Sequence, residues 1–313
     1  MYDIIIIGGG PAAISSGIYS ARKKIKTLLI TESFGGQSIV SDNIENWIGE
    51  EAISGFDLAQ KLEKHLRAQD GIEINAGEKV EEVIEDGKDF IVKTDKGEYK
   101  TKTVMVTSGG RRRRLGVPGE DKFDGKGVAF CSTCDAPLFR GKEVAVVGGG
   151  NSGIEAVVDL FPYATKIYLL NNTDTLKGDP QTVSEIEAND KVEILHNVSI
   201  KEIKGDVLVD SLLYLDKDGR ENELKIQGVF VEIGSVPNSE MLASLVELND
   251  YKEIVVDHRT YETSKKGIYA AGDVTDEIYK QNNIAAGDAI TATLSAYNYI
   301  LNLDKKSPAH DTE

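Results

Sequence analysis

Residues 3–13 read DIIIIGGGPAA, a short apolar run followed by a glycine-rich turn. An apolar run of this length is typical of a strand that is buried on both faces of a parallel sheet. Apolar residues then recur at helical spacing through residues 14–21, and a second apolar run, 25–31, ends at Glu32. Strand, glycine turn, helix and strand within about 30 residues form the βαβ unit of a dinucleotide-binding site.

The positions of this turn match the parts of such a site. Gly8 permits a tight turn, Gly10 lets the backbone approach a pyrophosphate, and Ala13 takes the third position, where a small residue is needed for packing. The pyrophosphate is expected at the positive end of the helix, and Glu32 can accept hydrogen bonds from ribose hydroxyls. A glycine turn in a nucleotide-free α/β fold is the alternative. The residues assigned to the site are Gly8, Gly10, Pro11, Ala12, Ala13 and Glu32.

The same pattern returns 140 residues later, where residues 148–153 read GGGNSG. The strand that follows its helix ends at Asn171 and Asn172, and Lys177 is the nearest cation. This strand end offers neither the acid that binds a ribose 2′-hydroxyl nor the Arg that accommodates a 2′-phosphate. The sequence therefore predicts a second site, for NADH or NADPH, with a vestigial site as the alternative. The residues assigned to it are Gly148, Gly150, Asn151, Ser152, Gly153, Asn171, Asn172, Lys177 and Gly234.

Two further stretches alternate apolar and charged residues, as antiparallel hairpins do. Residues 77–100 contain Asp-Gly and Lys-Gly turns, and residues 201–225 show a similar alternation after the second unit. Apolar runs at 103–107 and 229–233 close the two halves. We therefore predict an α/β protein with two Rossmann-like dinucleotide-binding domains, each with a small antiparallel β insertion. The polar tail from Asp304 is expected to fray.

Cys131 and Cys134 are the only two cysteines of the chain, and Asp135 follows them directly. The CxxC spacing allows a disulfide that opens and closes readily, with thiolates stabilised if the motif abuts a helix N-terminus. Asp135 can exchange protons with a thiolate if burial raises its pKa. The alternatives are two buried small side chains or half of a zinc site, although the four histidines show no ligand spacing and no metal is expected. A redox-active dithiol with an acid–base partner is the preferred interpretation.

Net charge and hydropathy exclude several classes of function. The net charge of −16 makes nucleic-acid binding improbable, because phosphates would be repelled. The chain shows no apolar stretch of membrane-spanning length and no features of a signal peptide, so a cytoplasmic protein without a membrane span is expected. One basic run, Arg111–Arg114, is either a solvated loop or a docking patch for an acidic partner.

Taken together, these motifs resemble those of the low-molecular-weight thioredoxin reductases over about residues 1–303. The family implies an FAD domain formed by residues 1–112 and 237–313, an NAD(P)H domain formed by 115–234, and a homodimer. The motifs that carry the resemblance are GGGPAA at 8–13, GGQ at 35–37, ENWIG at 45–49, VPGE at 117–120, CSTCD at 131–135, GGGNSG at 148–153, IGSVPN at 233–238 and AAGD at 270–273.

The resemblance also implies further contacts with FAD. It places the Gly272-Asp273 turn beside the ribityl-phosphate side of the flavin, and Cys134 as the cysteine nearer the flavin. Further residues are assigned to the FAD site, mostly along the isoalloxazine ring. These are Gly36, Gln37, Asn46, Lys280 and Gln281.

The chain departs from the family pattern in two places. Members specific for NADPH carry His-Arg-Arg where this chain has Asn171, Asn172 and Thr173, so strong selectivity for the 2′-phosphate is not expected. Residues 134–139 are similar to a segment of the alkyl hydroperoxide reductase flavoproteins, which carry an additional N-terminal redox domain. Because the first glycine turn begins at Gly8, we expect a separate CxxC protein, similar to thioredoxin or glutaredoxin, to accept the electrons.

The predicted function is an FAD-dependent disulfide reductase that moves electrons from NAD(P)H, through FAD and the cysteine pair, to such a protein. Three alternatives stay open from the sequence. They are the flavoprotein component of a hydroperoxide reductase system, a reductase fed by ferredoxin, and a redox-sensing flavoprotein that is not an enzyme. An acid beside the cysteines speaks against the last, because a sensor does not need it.

Overall fold

The computed structural model describes residues 1–41, 44–242 and 244–306. The chain divides into two compact units, one formed by Met1–Arg111 with Val236–Glu313 and the other by Arg112–Ser235. Among the described residues, no helix is both long enough and apolar enough to span a bilayer. The assignment of FAD to the first unit and NAD(P)H to the second stays a prediction.

The elements alternate along the chain as the two βαβ patterns require. The first segment contains β1 (Tyr2–Ile7), α1 (Pro11–Arg22), β2 (Thr27–Thr31), a 3-10 turn (Gly36–Val40), α2 (Gly55–Arg67), β3 (Ile72–Ala76), β4 (Val80–Asp86), β5 (Asp89–Thr94), β6 (Glu98–Val106) and β7 (Gly110–Arg112). The central segment contains β8 (Val128–Ala129), α3 (Ser132–Asp135), a 3-10 turn (Ala136–Phe139), β9 (Glu143–Val147), α4 (Asn151–Leu160), β10 (Lys166–Leu170), α5 (Pro180–Glu187), β11 (Val192–Leu195), β12 (Ser199–Gly205), β13 (Val209–Leu215), β14 (Glu221–Lys225), β15 (Gly228–Val231) and β16 (Ser235–Pro237). The last segment contains a 3-10 turn (Glu240–Leu242), β17 (Ile268–Ala270) and α6 (Asn282–Lys306).

The sheet of the first unit has the strand order β3-β2-β1-β6-β5-β4, and β17 also pairs with β6. Strand β1 lies parallel to both neighbours, with Ile5 opposite Leu28 of β2 and Val104 of β6. Its isoleucines are fully or almost fully buried, as expected for a strand covered on both faces. The predicted βαβ unit is therefore confirmed in this half of the chain.

The predicted antiparallel insertion of the first unit is present, and it is part of the main sheet. Strand β6 is nine residues long, and its first half pairs with β5, where Thr101 lies opposite Phe90. Its second half pairs in parallel with β1 and β17. Because one continuous strand belongs to both pairings, the hairpin extends the main sheet.

The second unit separates its two sheets. A parallel sheet has the order β11-β10-β9-β15-β8, in which Val146 of β9 lies opposite Leu169 of β10 and Phe230 of β15. Strands β12, β13 and β14 form a distinct antiparallel sheet, as expected from residues 201–225. The predicted class, α/β with two dinucleotide-binding domains, is confirmed.

Two boundaries decide where the candidate site lies. Strands β1 and β9 both end one residue before a glycine turn, and α1 and α4 both begin three residues after that glycine. At the other end of the chain, α6 continues to Lys306, so the first three residues of the tail that was expected to fray are helical. Residues 307–313 of the predicted FAD domain lie outside the described residues.

Candidate active site

The first glycine turn joins β1 to α1 through positions that require glycine. Gly8 has φ +134°, and a Cβ there would collide with the carbonyl oxygen of Thr107. Gly10 is the N-cap of α1 and Pro11 its first residue. Within the described residues, no side chain caps this helix end and its first turn carries no acid. A helix start left open in this way, with its N–H groups uncapped, suits an anion such as a pyrophosphate.

Residues distant in the sequence meet at this helix start. A Cβ built on Gly10 would lie 3.8 Å from the Cα of Gly36, so the two backbones approach each other closely where neither residue has a side chain. Gly272 has φ +76°, and a Cβ on it would lie 3.4 Å from the Cβ of Ala12. The structure thus brings the GGQ and AAGD motifs to the first turn of α1, an arrangement that fits a bound dinucleotide.

The residues assigned along the isoalloxazine ring also lie together in pairs. The amide of Gln37 donates to the carboxylate of Asp273 at 3.4 Å, and the amide of Asn46 donates to the Gln281 side-chain oxygen at 3.2 Å. Each pair joins residues more than 230 positions apart. The segment after the first βαβ unit and the start of α6 therefore line one region of the first unit.

The charge of Lys280 is paired within the first unit, whereas Glu32 lies at an exposed position. The ammonium of Lys280 forms an ion pair with Glu253 at 3.0 Å and donates to the carbonyl oxygen of Thr275. Its charge is therefore used inside the first unit, and contact with a flavin would involve the apolar part of its side chain. Glu32 is exposed directly after β2, at the place where a ribose is expected.

The second glycine turn repeats the geometry of the first. Gly148 has φ +134°, the same value as Gly8, and a Cβ on it would collide with the carbonyl oxygen of Glu232. Gly153 packs against the carbonyl group of Gly148, where a side chain would not fit. Gly150 is the N-cap of α4, and within the described chain this helix start is likewise without a side-chain cap. The second unit therefore also presents open helix N–H groups that suit a pyrophosphate.

The segment after β10 folds back onto this turn. The backbone N–H of Lys177 donates to the carbonyl of Gly149 at 2.7 Å, and the N–H of Asp179 donates to the side-chain oxygen of Asn151 at 3.1 Å. The side chain of Lys177 is exposed. Lys177 thus lies at the glycine turn itself, nearer to where a pyrophosphate is expected than the end of β10 is.

Asn171 and Asn172, both assigned to the nucleotide, lie in different environments. Asn171 is 2% exposed, and its amide nitrogen donates to the carbonyls of Thr173 and Thr175 at 3.0 and 2.9 Å. Its side chain therefore holds the loop in place, while Asn172 is exposed and available to a ribose. Gly234, with φ +92°, is exposed beyond the end of β15.

The cysteines form a disulfide at the start of a short helix in the second unit. Cys131 is the N-cap of α3, and its Cα lies 5.3 Å from that of Cys134. The backbone N–H of Asp135 donates to the carbonyl oxygen of Cys131 at 3.0 Å, which closes the turn. The predicted cysteine pair is thus bonded, and a thiolate at this position would be stabilised by the N–H groups of the helix.

Asp135 has the environment that the sequence analysis required of an acid–base group. It is partly buried, and burial raises the pKa of its carboxyl to about 6, while the charge of Arg112 opposes this shift and that of Asp124 adds to it. A carboxyl with this pKa can hold or release a proton close to neutral pH. Its proposed catalytic role stays a prediction that this environment supports.

Sequence analysis missed three charged residues around the disulfide. Glu232, which follows β15, is 8% exposed, and burial raises the pKa of its carboxyl to about 7. Asp159 of α4 accepts a hydrogen bond of 2.7 Å from the hydroxyl of Ser132, between the cysteines. Arg112 is the cation whose charge acts on both Asp135 and Glu232. An acid directly after the apolar run GVFV is a signal by which Glu232 could have been found in the sequence. Asp159 has no such signal, because in the sequence it looks like an ordinary exposed residue of a helix.

Comparison with known proteins identifies the family. Residues 2–289 match the family described as pyridine nucleotide-disulphide oxidoreductase. The NADH dehydrogenase of Bacillus subtilis (strain 168) is 42% identical over 303 residues, which cover 96% of this chain and 59% of the relative. The alkyl hydroperoxide reductase F of Pseudomonas aeruginosa is 40% identical over 315 residues, 96% of this chain and 58% of the relative. The chain thus spans less than two thirds of the length of these relatives.

Solved structures of thioredoxin reductases share the fold over nearly the whole chain. The enzyme from Streptococcus pyogenes MGAS5005 has a TM-score of 0.90 at 32% identity, covering 96% of this chain and 99% of that one. The enzyme from Giardia duodenalis has a TM-score of 0.89 at 30% identity, with the same coverage. Both the predicted resemblance and the predicted oxidoreductase are confirmed. The chain belongs to the pyridine nucleotide-disulphide oxidoreductase family and has the fold of a thioredoxin reductase-like flavoprotein.

Proposed function

We propose that the protein passes electrons from a nicotinamide nucleotide, through FAD, to the Cys131–Cys134 disulfide and on to a small CxxC protein. The observation that carries the proposal is the bonded cysteine pair next to Asp135, a partly buried acid whose pKa is raised to about 6. A structural disulfide closing so short a loop stabilises little by loop entropy and needs no such neighbour. Homodimeric assembly and a cytoplasmic location stay predictions.

The first unit has the features needed to hold FAD. The N–H groups at the start of α1 would bind the pyrophosphate, the absence of side chains at Gly10 and Gly36 would let it approach the backbone, and Glu32 would bind a ribose. Gln37 and Asn46 would line the isoalloxazine ring with their partners in α6 and the segment before it. When bound, FAD accepts a hydride from the nicotinamide and supplies two electrons to a disulfide.

The cysteine pair and Asp135 then carry out the exchange. When two electrons enter the disulfide, the S–S bond breaks, one sulfur takes a proton from Asp135 and the other stays a thiolate. The thiolate attacks the disulfide of the partner protein and forms a mixed disulfide. The remaining cysteine attacks that bond, returns its proton to Asp135 and releases the reduced partner. By family resemblance, Cys134 is the cysteine nearer the flavin.

The environment of the second glycine turn supports NADH as a donor at least as good as NADPH. A 2′-phosphate is best bound by an Arg fork or a pair of Lys residues. Asn172 is exposed but neutral, and Lys177 is bonded at the glycine turn rather than at the end of β10. The relative from Bacillus subtilis is named an NADH dehydrogenase, which agrees with this assignment.

A second candidate shares this chemistry but serves a hydroperoxide-reducing system. The relatives named alkyl hydroperoxide reductase F are 38–40% identical, whereas the thioredoxin reductases of solved structure named above are 30–32% identical. In this candidate the acceptor is a CxxC redox domain that feeds a peroxidase. Both candidates require the same cysteine pair, and they differ in the acceptor protein.

The test is steady-state oxidation of each nucleotide by the FAD-loaded protein with two purified acceptors. One acceptor is a thioredoxin, and the other is the N-terminal redox domain of an alkyl hydroperoxide reductase flavoprotein. We expect turnover that is abolished in Cys131→Ser, and the acceptor with the larger kcat/KM identifies the system. If neither acceptor nor a panel of glutaredoxins is reduced, while the flavin is still bleached by nucleotide, the proposed disulfide reductase is wrong. If reduced ferredoxin bleaches the flavin and both nucleotides fail, the electron donor is wrong.

A further inference from the structure

The parallel sheet of the second unit places Glu232 close to the disulfide. Its backbone N–H donates to the carbonyl of Val147 at 2.9 Å, and its own carbonyl lies against Gly148. The side chain is almost completely buried, and its carboxyl interacts with the backbone N–H of Ser132, which lowers the pKa of that carboxyl. This N–H belongs to the peptide that directly follows Cys131, so the carboxyl and a Cys131 thiolate would share the same helix start.

Ser132 is held from two sides by acids. While Glu232 binds its N–H, Asp159 of α4 accepts from its hydroxyl at 2.7 Å and from the hydroxyl of Thr133 at 3.3 Å. Asp135 is the third carboxyl of this group, and Arg112 of β7 is the cation that acts on it and on Glu232. Three carboxyls therefore lie at or beside the helical turn of a disulfide that becomes negatively charged on reduction.

The charge balance of this cluster requires a proton when the disulfide opens. A thiolate formed beside three ionised carboxyls in a partly buried site would be strongly destabilised, because like charges repel more in a medium of low dielectric constant. One guanidinium does not compensate four negative charges. Uptake of a proton by one of the carboxyls together with the electrons would relieve this repulsion.

We propose that Glu232 is a second proton-holding carboxyl of the disulfide site, which takes up a proton when the Cys131–Cys134 bond opens and releases it when the bond re-forms. Opening consumes two electrons and two protons: one proton ends on a sulfur and the other on Glu232, which leaves the second sulfur as a thiolate. The neutral carboxyl then removes one of the negative charges that repel that thiolate. Glu232 is thus a positioning residue, and the inference rests on the proposed function, in which the bond cycles.

The order of protonation favours Glu232 over Asp135. Burial raises the pKa of Glu232 to about 7 and that of Asp135 to about 6. Arg112 and the Ser132 N–H lower the pKa of Glu232, whereas Asp159 and Asp135 raise it further. A new negative charge on sulfur acts in the same upward direction. The burial of Glu232 and these carboxylates therefore favour the protonated form of Glu232 once the disulfide opens.

The test measures the equilibrium between disulfide and dithiol in the FAD-loaded protein against reduced and oxidised dithiothreitol from pH 6 to 8.5. The reduced cysteines are trapped by alkylation and counted by mass spectrometry. In Glu232→Gln the side chain is neutral at every pH, and its amide oxygen can still accept a hydrogen bond from the Ser132 N–H. The equilibrium constant for reduction of the wild type, divided by that of Glu232→Gln, should be constant below about pH 7. Above that pH it should fall by up to about tenfold per pH unit, or about 30 mV for a two-electron couple.

The matched control is Glu155→Gln, an exposed acid on α4 whose variant should follow the wild type at every pH. A ratio for Glu232→Gln that does not change with pH overturns the proposal. If Glu232→Gln does not fold, infrared difference spectra of the wild type decide instead. Reduction at pH 7.5 should add the C=O band of a protonated carboxyl, and its absence overturns the proposal. Because dithiothreitol replaces nucleotide and partner, these results are independent of whether thioredoxin is the acceptor.

Discussion

Asp135→Asn should make the protein more stable at neutral pH while it slows disulfide reduction. Burial raises the pKa of the Asp135 carboxyl from 3.8 to about 6, which means that the folded protein holds the ionised form at a cost. At 1.36 kcal/mol per pKa unit, this cost approaches about 3 kcal/mol of the free energy of unfolding. An asparagine must also be desolvated, so we expect a net gain of roughly 1–3 kcal/mol.

The pH dependence of this gain has a definite sign. A carboxyl with a raised pKa binds its proton more tightly in the folded state than in the unfolded state. Its cost is therefore absent below about pH 3.8, grows between that value and about pH 6, and is complete above. Asparagine does not titrate, so the stability advantage of the variant should be small at pH 4 and reach its full size at pH 7.5.

The same substitution removes the acid–base group beside the cysteines. Turnover of a protein disulfide should fall by roughly 10²-fold, the scale for loss of one such group, while reduction of the flavin by nucleotide should barely change. Thermal unfolding at pH 4 and pH 7.5, together with stopped-flow of the two half-reactions, measures both effects. Asp190→Asn, an exposed acid in the same unit, is the matched control and should show neither. If the stability of the variant relative to the wild type does not change with pH, or if both half-reactions slow equally, Asp135 is not the acid–base group of the disulfide.

Three other predictions follow from the same structure. The purified protein should be yellow with one FAD per chain. Gly8→Ala should be colourless, because the added Cβ would collide with the Thr107 carbonyl. Flavin absorbance after incubation with FAD measures both. Cys134→Ser should abolish disulfide reduction and leave flavin reduction intact, and wild-type turnover in this variant would contradict the dithiol relay. NADH should be at least as good as NADPH in kcat/KM, because Asn172 offers no positive charge to a 2′-phosphate. A preference for NADPH above about 100-fold, or about 2.7 kcal/mol, would contradict this and point to a cation such as Lys177 at the 2′ position.

The local motifs of the active site could be predicted because each depends on residues close together in the chain. An apolar run, a glycine turn and a helical stripe within about 30 residues determine the βαβ geometry, and Gly8 and Gly148 adopt the same positive φ. A CxxC pair needs one helical turn to form its disulfide, and that turn is present as α3. Patterns that span so few residues can be recognised in the sequence without knowing the rest of the fold.

The burial of individual polar side chains could not be predicted. Asn171 and Asn172 are adjacent and chemically identical, yet one is buried and holds its loop while the other is exposed. Likewise, the sequence does not show that Lys280 pairs with Glu253. These differences depend on which neighbours the folded chain places around each side chain. Short sequence patterns do not identify those neighbours.

The two glycine turns, the cysteine pair and the acid that follows it could all be recognised in the sequence. That Glu232 and Asp159 meet at Ser132, and that a strand as long as β6 belongs to two pairings at once, became visible in the folded chain. Glu232 lies 100 residues from Ser132 in the chain, and the parallel sheet closes that distance by placing the ends of β8 and β15 side by side. The physical reason is that helix and turn geometry arises within a few residues, whereas the charge environment of a buried carboxyl arises from strands that pair across the whole unit.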